Sequence, residues 1–166
     1  MPKYEPKSDA LKAFGASEAS TSDNPLTEES LQLLITMARD EDRSNRDWAV
    51  FFLSICVLDT PEVRGALLRA ADDDDVYVRG EATVGLAERD PELALPFVQK
   101  ALSADWASLQ VFEAAALLAH PSLVEDLRQF LGPSDNKVVD DAAADALKSC
   151  ETGIRPYPPR PFVRSR

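Results

Sequence analysis

The residues that most often do chemistry do not form a working set in this sequence. The chain has one histidine, His120, and two cysteines, Cys56 and Cys150. A cysteine nucleophile needs a base within hydrogen-bond reach. Cys56 lies inside the apolar run WAVFFLSICVL, where a thiol packs as a small hydrophobe. His120 precedes Pro121 and reads as the residue that leads into a helix. One histidine and two distant cysteines also leave no zinc set. The stretch DDDDVYVRGEATVGLAERD, Asp72 to Asp90, opens with four aspartates and invites comparison with a calcium loop. Counted from Asp72, Tyr77 stands where such a loop needs glycine and Thr83 where it needs the closing glutamate. The aspartates read instead as a turn and helix cap, with Asp75 the capping residue. The glycines are scattered and make no phosphate loop. No catalytic residue, metal ligand or cofactor is therefore assigned.

These residues sit on a regular series of predicted helices. NPLTEESLQLLITMA begins with Asn24 as a cap and Pro25 in the first turn, followed by Leu31, Leu34, Ile35 and Ala38 at helical spacing. SNRD at 44–47 has the spacing of a capping box and opens the apolar run of Cys56. DTPEVRGALLRAA, VYVRGEATVGLAE, DPELALPFVQKAL, DWASLQVFEAAALLA, HPSLVEDLRQFL and SDNKVVDDAAADALKSC complete eight helices. The Val- and Ile-rich pieces lack the alternation of strands. Residues 1–25, rich in Ser, Ala, Lys and Glu, read as a disordered N-terminal tail with one helical turn at SDALKAF. Residues 26–150 read as one helical domain. Residues 151–166 form a second, Pro/Arg-rich tail that proline keeps extended.

The helices repeat. NRDWAVFFLS (45–54) lies over VRGEATVGLA (78–87), with Arg46 over Arg79, an offset of 33. EAAALLA (113–119) lies over EATVGLA (81–87), an offset of 32. Pro61, Pro91 and Pro121 open the second helices, an offset of 30 twice. A two-helix period near 30 residues is the sequence mark of an α-solenoid. The pattern Asp75, Val78, Arg79, Ala82, Leu86 resembles the HEAT-like repeats, and its short period is similar to their bilin-lyase type. The resemblance covers roughly residues 40–148. It implies an all-α, right-handed solenoid of antiparallel helix pairs: three pairs between a half-repeat at 26–38 and a capping helix at 135–149. It also implies a structural ladder in which Asp42 and Asp75 cap first helices and Arg46 and Arg79 reach neighbouring repeats. The following copy departs from the pattern, with Ala107 at the aspartate position and Val111 at the arginine position.

Charge and spacing then narrow the function. The net charge is −11, which argues against a phosphate-binding body. The arginines Arg64, Arg69, Arg79, Arg89 and Arg128 read as salt-bridge partners scattered on an acidic body. No apolar run is long enough to span a membrane, and the N-terminus has no signal-peptide core, so a cytoplasmic protein is expected. Arg69, Gln99 and Gln129 fall at equivalent positions on successive second helices, which line the concave face of a solenoid. Trp106, at the start of a first helix, joins them as a candidate partner contact. The expected function is a non-catalytic protein–protein interaction module, a bacterial adaptor or inhibitor. It would bind a protein, with a basic one the sharper case, through the concave face or the acidic surface. Neither nucleic acid nor membrane is an expected partner. Two alternatives stand beside it: a bilin-lyase-like subunit acting on a chromophore, and an immunity protein neutralising a basic toxin. For the arginine-bearing tail, the sharper expectation is that it folds back onto carboxylates such as Asp140 and Asp141.

Overall fold

The computed structural model describes residues 4–17 and 26–163. Over these residues the chain is all-helical: α1 (Asp9–Gly15), α2 (Glu28–Met37), α3 (Arg43–Ile55), α4 (Pro61–Ala70), α5 (Val76–Arg89), α6 (Pro91–Leu102), α7 (Leu109–Leu118), α8 (Val124–Arg128) and α9 (Lys137–Thr152). No strand occurs among the described residues, only one isolated parallel bridge between Leu58 and Val163.

Local chemistry sets the helix starts. The first amides of a helix have no intrahelical acceptor, so a side-chain oxygen before them is stabilising. Ser8, Thr27, Asp42, Thr60, Asp75, Asp90 and Asn136 supply it for α1 to α6 and α9, with Pro61 and Pro91 in the first turns of α4 and α6. Ser108, at the same position before α7, makes no such bond. Two expected starts differ. Asp42, the cap that the repeat resemblance implies, rather than Ser44 of the SNRD box caps α3, because its carboxylate reaches the Ser44 amide at 2.9 Å. Thr27 caps α2, and the expected cap Asn24 lies outside the described residues.

The helices pack in two rows. α3, α5, α7 and α9 lie side by side in chain order, with α1 against α3; α2, α4, α6 and α8 pack along them. Leu53, Leu67, Leu86, Leu102, Leu117 and Leu127 are fully buried, the large apolar groups of one continuous core. Two glycines allow the close approach of first-row helices. A Cβ at Gly85 would stand 2.9 Å from the Cα of Ser54 on α3, and one at Gly80 would stand 2.9 Å from Ser108 Oγ and Gln110 Cβ before and on α7.

Residues 4–17, expected within a disordered tail with one helical turn at SDALKAF, carry that helix as α1 and pack it against α3. Leu11 is fully buried, and the Phe14 ring meets Phe52 edge-on at 4.9 Å. The Ser8 amide donates to Asn45 Oδ1 at 2.8 Å, and Lys7 pairs with Asp42. The Ser- and Ala-rich composition obscured two apolar residues at i, i+3 that suffice to seat one short helix. The rest of the expected tail, residues 1–3 and 18–25, lies outside the described residues.

The Pro/Arg-rich segment also docks, but not on α9. Arg155 Nη2 lies 2.9 Å from Glu88 Oε2 and Arg160 Nε 3.4 Å from Glu88 Oε1, near the end of α5. The Val163 amide donates to Val57 O at 2.8 Å, and the Asp59 amide donates to Val163 O at 2.9 Å. Phe162 lies under the Arg89 guanidinium, 4.5 Å from ring centre to Cζ. Asp140 and Asp141, the carboxylates expected to receive this segment, are engaged locally by the Ser134 amide and Lys137. Arg164 and Arg166 lie outside the described residues.

Candidate functional site: an acidic, aromatic face on α3, α5 and α7

α3 carries Asp47, Trp48 and Phe51; α5 carries Tyr77 and Glu81; α7 carries Gln110 and Glu113. With Tyr4, most of them line a cleft of about 350 Å³ across the first row. Tyr4 stacks on Trp48 at 6.4 Å and donates its hydroxyl to Asp47 Oδ2 at 2.7 Å. Trp48 packs against Phe51 at 5.9 Å, and its buried indole N–H has no hydrogen-bond partner. Gln110 Nε2 donates to Glu81 Oε1 at 3.0 Å.

The electrostatics of the three carboxylates are alike. Burial pushes the Asp47 carboxyl up, against the opposing pull of Tyr4 and Arg43. Burial pushes Glu81 up to about 7, with Asp47 and Glu113 adding repulsion and Gln110 opposing. Glu113, more exposed, is raised by the same cause. Glu81 feels both of the others, so the three form one row across three helices. None of them takes part in an ion pair among the described residues. Partly desolvated carboxylates without a cation are costly, and a positive charge brought to them gains more than at an open surface.

The aromatic rims suit the same visitor. Arg43 shows this within the molecule: its guanidinium lies 5.6 Å from the Tyr4 ring centre and 5.3 Å from that of Tyr77, and pairs with Asp75 Oδ2 at 3.0 Å. A cation over an aromatic face is held by the ring quadrupole. Trp106, singled out in the sequence, joins this surface through an edge contact with Tyr77 at 6.3 Å and is 55% exposed.

The other sequence candidates are spread along the second row of helices. Arg69 is exposed on α4, beside a shallow cleft with Arg39 and Asp40. Gln99 on α6 donates to Ser122 Oγ at 3.1 Å, and Gln129 donates to Leu102 O at 2.5 Å. Two of these three polar side chains thus tie one helix to the next; Gln129 lines a cleft with Trp106, Tyr77 and Gln110, which Arg69 and Gln99 do not line. The face of Asp47, Glu81 and Glu113 was missed. Its signal was the offset of acids on successive first helices, with Glu113 over Glu81, beside the aromatics Trp48 and Tyr77.

The ladder residues are structural, with one difference. Asp42 and Asp75 cap α3 and α5 as expected. Arg46 reaches the next turn, with Nε 2.9 Å from Asp73 Oδ2 and Nη2 3.0 Å from Asp73 Oδ1. Both arginines donate Nη1 to two carbonyls of their own preceding turn, Arg46 to Asp40 and Glu41 and Arg79 to Asp73 and Asp74 at 2.6 and 3.0 Å, but Arg79 pairs with no carboxylate among the described residues. Arg64 pairs with Asp59 and Asp90 and Arg128 with Glu125 and Glu151. Arg89 is 5% exposed and donates to the carbonyls of Leu53, Ser54, Cys56, Leu58 and Gly85, satisfying the end of α3. Cys56 is buried, with its thiol raised by burial; His120 is exposed and its Nδ1 accepts from the Ser122 amide at 3.2 Å. Among the described residues no cluster of three or more His, Cys, Asp or Glu has the arrangement of a metal site, and no helix is long and apolar enough to cross a membrane.

No family model matches the chain. It is 28% identical over 118 residues to "Protein YibA" of Escherichia coli strain K12, and equally to that of strain O157:H7. The match covers 71% of this chain and 42% of YibA, so the chain spans about two-fifths of the length of these relatives. The X-ray structure of Escherichia coli YibA aligns with a TM-score of 0.56 at 28% identity, over 71% of this chain and 43% of that one.

Proposed function

We propose that this chain is a non-catalytic protein–protein interaction module, built as a HEAT-like solenoid, that binds a basic partner through the acidic, aromatic face of α3, α5 and α7. The observation that carries the reading is the row Asp47, Glu81 and Glu113, which lies between aromatic walls and takes part in no ion pair among the described residues. Two helix rows with a period near 30 residues support the solenoid, and the net charge of −11 favours approach of a cationic surface. The polar row Arg69, Gln99 and Gln129 is the weaker surface, because Gln99 and Gln129 already bond within the protein.

An adaptor or an inhibitor in a bacterial cytoplasm would use this face in the same way. The immunity reading is its sharpest form: charge neutralisation of a basic toxin. The bilin-lyase alternative is separated by mixing the protein with a bilin and looking for a bound chromophore. The main test is affinity capture from the native organism with three proteins: wild type, the triple variant Asp47→Asn, Glu81→Gln, Glu113→Gln, and the triple variant Arg69→Ala, Gln99→Ala, Gln129→Ala. A partner retained by wild type and the second variant but lost by the first supports the reading. A partner lost only with the second variant moves the interface to the other row.

A further inference from the structure

The step from α5 to α7 lacks three carboxylates that the step from α3 to α5 has, with Trp106, Ala107 and Ser108 at the places of Asp73, Asp74 and Asp75. The helix caps Asp42, Asp75 and Ser108 are spaced by 33 residues, so Ser108, rather than Ala107, is the structural counterpart of Asp75. At the same offset, Trp106 stands at the counterpart of Asp73. The consequences are local and specific. Arg46 grips Asp73 with two parallel bonds through Nε and Nη2. Arg79, its counterpart, uses Nη1 for two backbone carbonyls and forms no ion pair among the described residues. The first turn of α7 receives no side-chain cap and holds no acidic residue. Ser108 is 3% exposed, and its Oγ has no hydrogen-bond partner.

These groups share one cavity of about 390 Å³. Arg79, Ser108 and Trp106 line it together with the apolar groups of Phe97, Ala101 and Val111. Asp72 and Asp73 also border it, but Asp73 is held by Arg46 and Asp72 lies 3.3 Å from Lys100. A buried hydroxyl without a protein partner is rare in a folded protein and leaves a polar group free to bond to solvent or to a ligand in the cavity. A helix N-terminus beside an arginine favours an anion. The Arg46–Asp73 pair shows within the same molecule which anion fits.

We propose that the cavity between α5 and α7 binds a carboxylate carried on an apolar group. The carboxylate takes the place that Asp73 and Asp75 fill one step earlier: it meets the Arg79 guanidinium, the Ser108 hydroxyl and the first amides of α7. The apolar body lies against Trp106, Phe97 and Val111. The site differs in place and in ligand sign from the acidic face, so it stands whether or not that face binds a basic partner.

The test uses the full chain labelled with nitrogen-15 and two probes. One is phenylacetate. The other is a short peptide ending in a free phenylalanine carboxylate, with its C-terminal amide as the control. The expected result is saturable shifts of the Trp106 indole and the Leu109 and Gln110 amides, with the amide control inert. Equal binding of phenylacetate and peptide assigns the site to small carboxylates; markedly tighter peptide binding assigns it to a protein terminus. Arg79→Met should weaken binding about tenfold or more, the scale of one charge-assisted contact. Trp106→Asp gives Arg79 the internal carboxylate that Arg46 has, and should abolish binding while keeping or raising the melting temperature. Absence of saturable shifts with either probe overturns the proposal. So does Trp106→Asp binding as wild type does.

Discussion

Glu81 offers the most direct test of the desolvated acidic row. Its carboxyl is pushed from an ordinary 4.5 to about 7 by burial. A carboxylate raised in the folded state binds its proton more tightly folded than unfolded. Its contribution therefore favours folding below about pH 4.5 and is lost as the pH rises through 7. At about 1.4 kcal/mol per pH decade, the interval corresponds to about 3 kcal/mol. Residual solvent contact and relaxation around the cleft reduce this, so we expect 1 to 3 kcal/mol, about the range of a strained buried charge. The perturbation is Glu81→Gln, which keeps the shape and can still accept from Gln110. Urea unfolding of both proteins at pH 4.5 and pH 8 gives the difference in stability at each pH. The variant should be more stable than wild type at pH 8 and equal to it at pH 4.5. Asp42 and Asp73, whose carboxyls are held low by Lys7 and Arg46, change stability with pH in both proteins alike and cancel in the difference. A stability difference that is the same at both pH values would refute the reasoning, and with it the view that Glu81 is desolvated in the folded protein.

Four further predictions follow from packing. A protein ending at Gly153 should lose about 2 to 4 kcal/mol, from two backbone bonds and the contacts of Glu88, and hydrogen exchange should speed at the Asp59 amide rather than in α9; unchanged exchange there would rule out docking. Removing residues 1–17 should lower the melting temperature by about 5 to 10 °C, because Leu11 and Phe14 leave the core; calorimetry decides it. Arg89→Met should cost about 3 to 5 kcal/mol by chemical denaturation, since it leaves the buried carbonyls at the end of α3 without donors. Arg46→Ala should destabilise more than Arg79→Ala, because only Arg46 bridges to the next turn through a carboxylate; equal losses in the two variants would place the strength of the ladder in the carbonyl bonds.

Much of the fold was legible because helix punctuation is written in single residues. Thr60 and Asp90 before Pro61 and Pro91, and Asp42 and Asp75 before their helices, are local signals that tertiary packing has no reason to override. The helix at SDALKAF was legible, but the packing of residues 4–17 was not, since it depends on Phe52 and Asn45 more than 30 positions away. The docking of the Arg155 segment was half legible. Its charge and aromatic residues indicate attachment to an acidic body, but the choice of Glu88 over Asp140 rests on where α5 ends in space. The acidic face escaped notice for a similar reason. In a chain with 29 acidic residues, nothing in the letters says which carboxylates are desolvated and outside ion pairs. Gln99 and Gln129 stood out by spacing, yet spacing does not distinguish a side chain offered to solvent from one bonded to the next helix.

The segment that clasps Glu88 has a consequence for the order in which the molecule assembles. Nearly every other contact joins neighbouring or next-but-one helices in the chain, so the rows can form by short loop closures. Arg160 and Ile55, in contrast, meet across 105 positions. Residues 155–163 are synthesised after every element they bind, and during translation α3 and α5 must hold together without them. Their arrival is then a latch closing on a finished body. We expect refolding to show a fast phase that forms the helices and a later one that quenches exchange at the Asp59 amide. The latch raises the barrier to opening more than it speeds folding, so it lengthens the lifetime of the assembled rows.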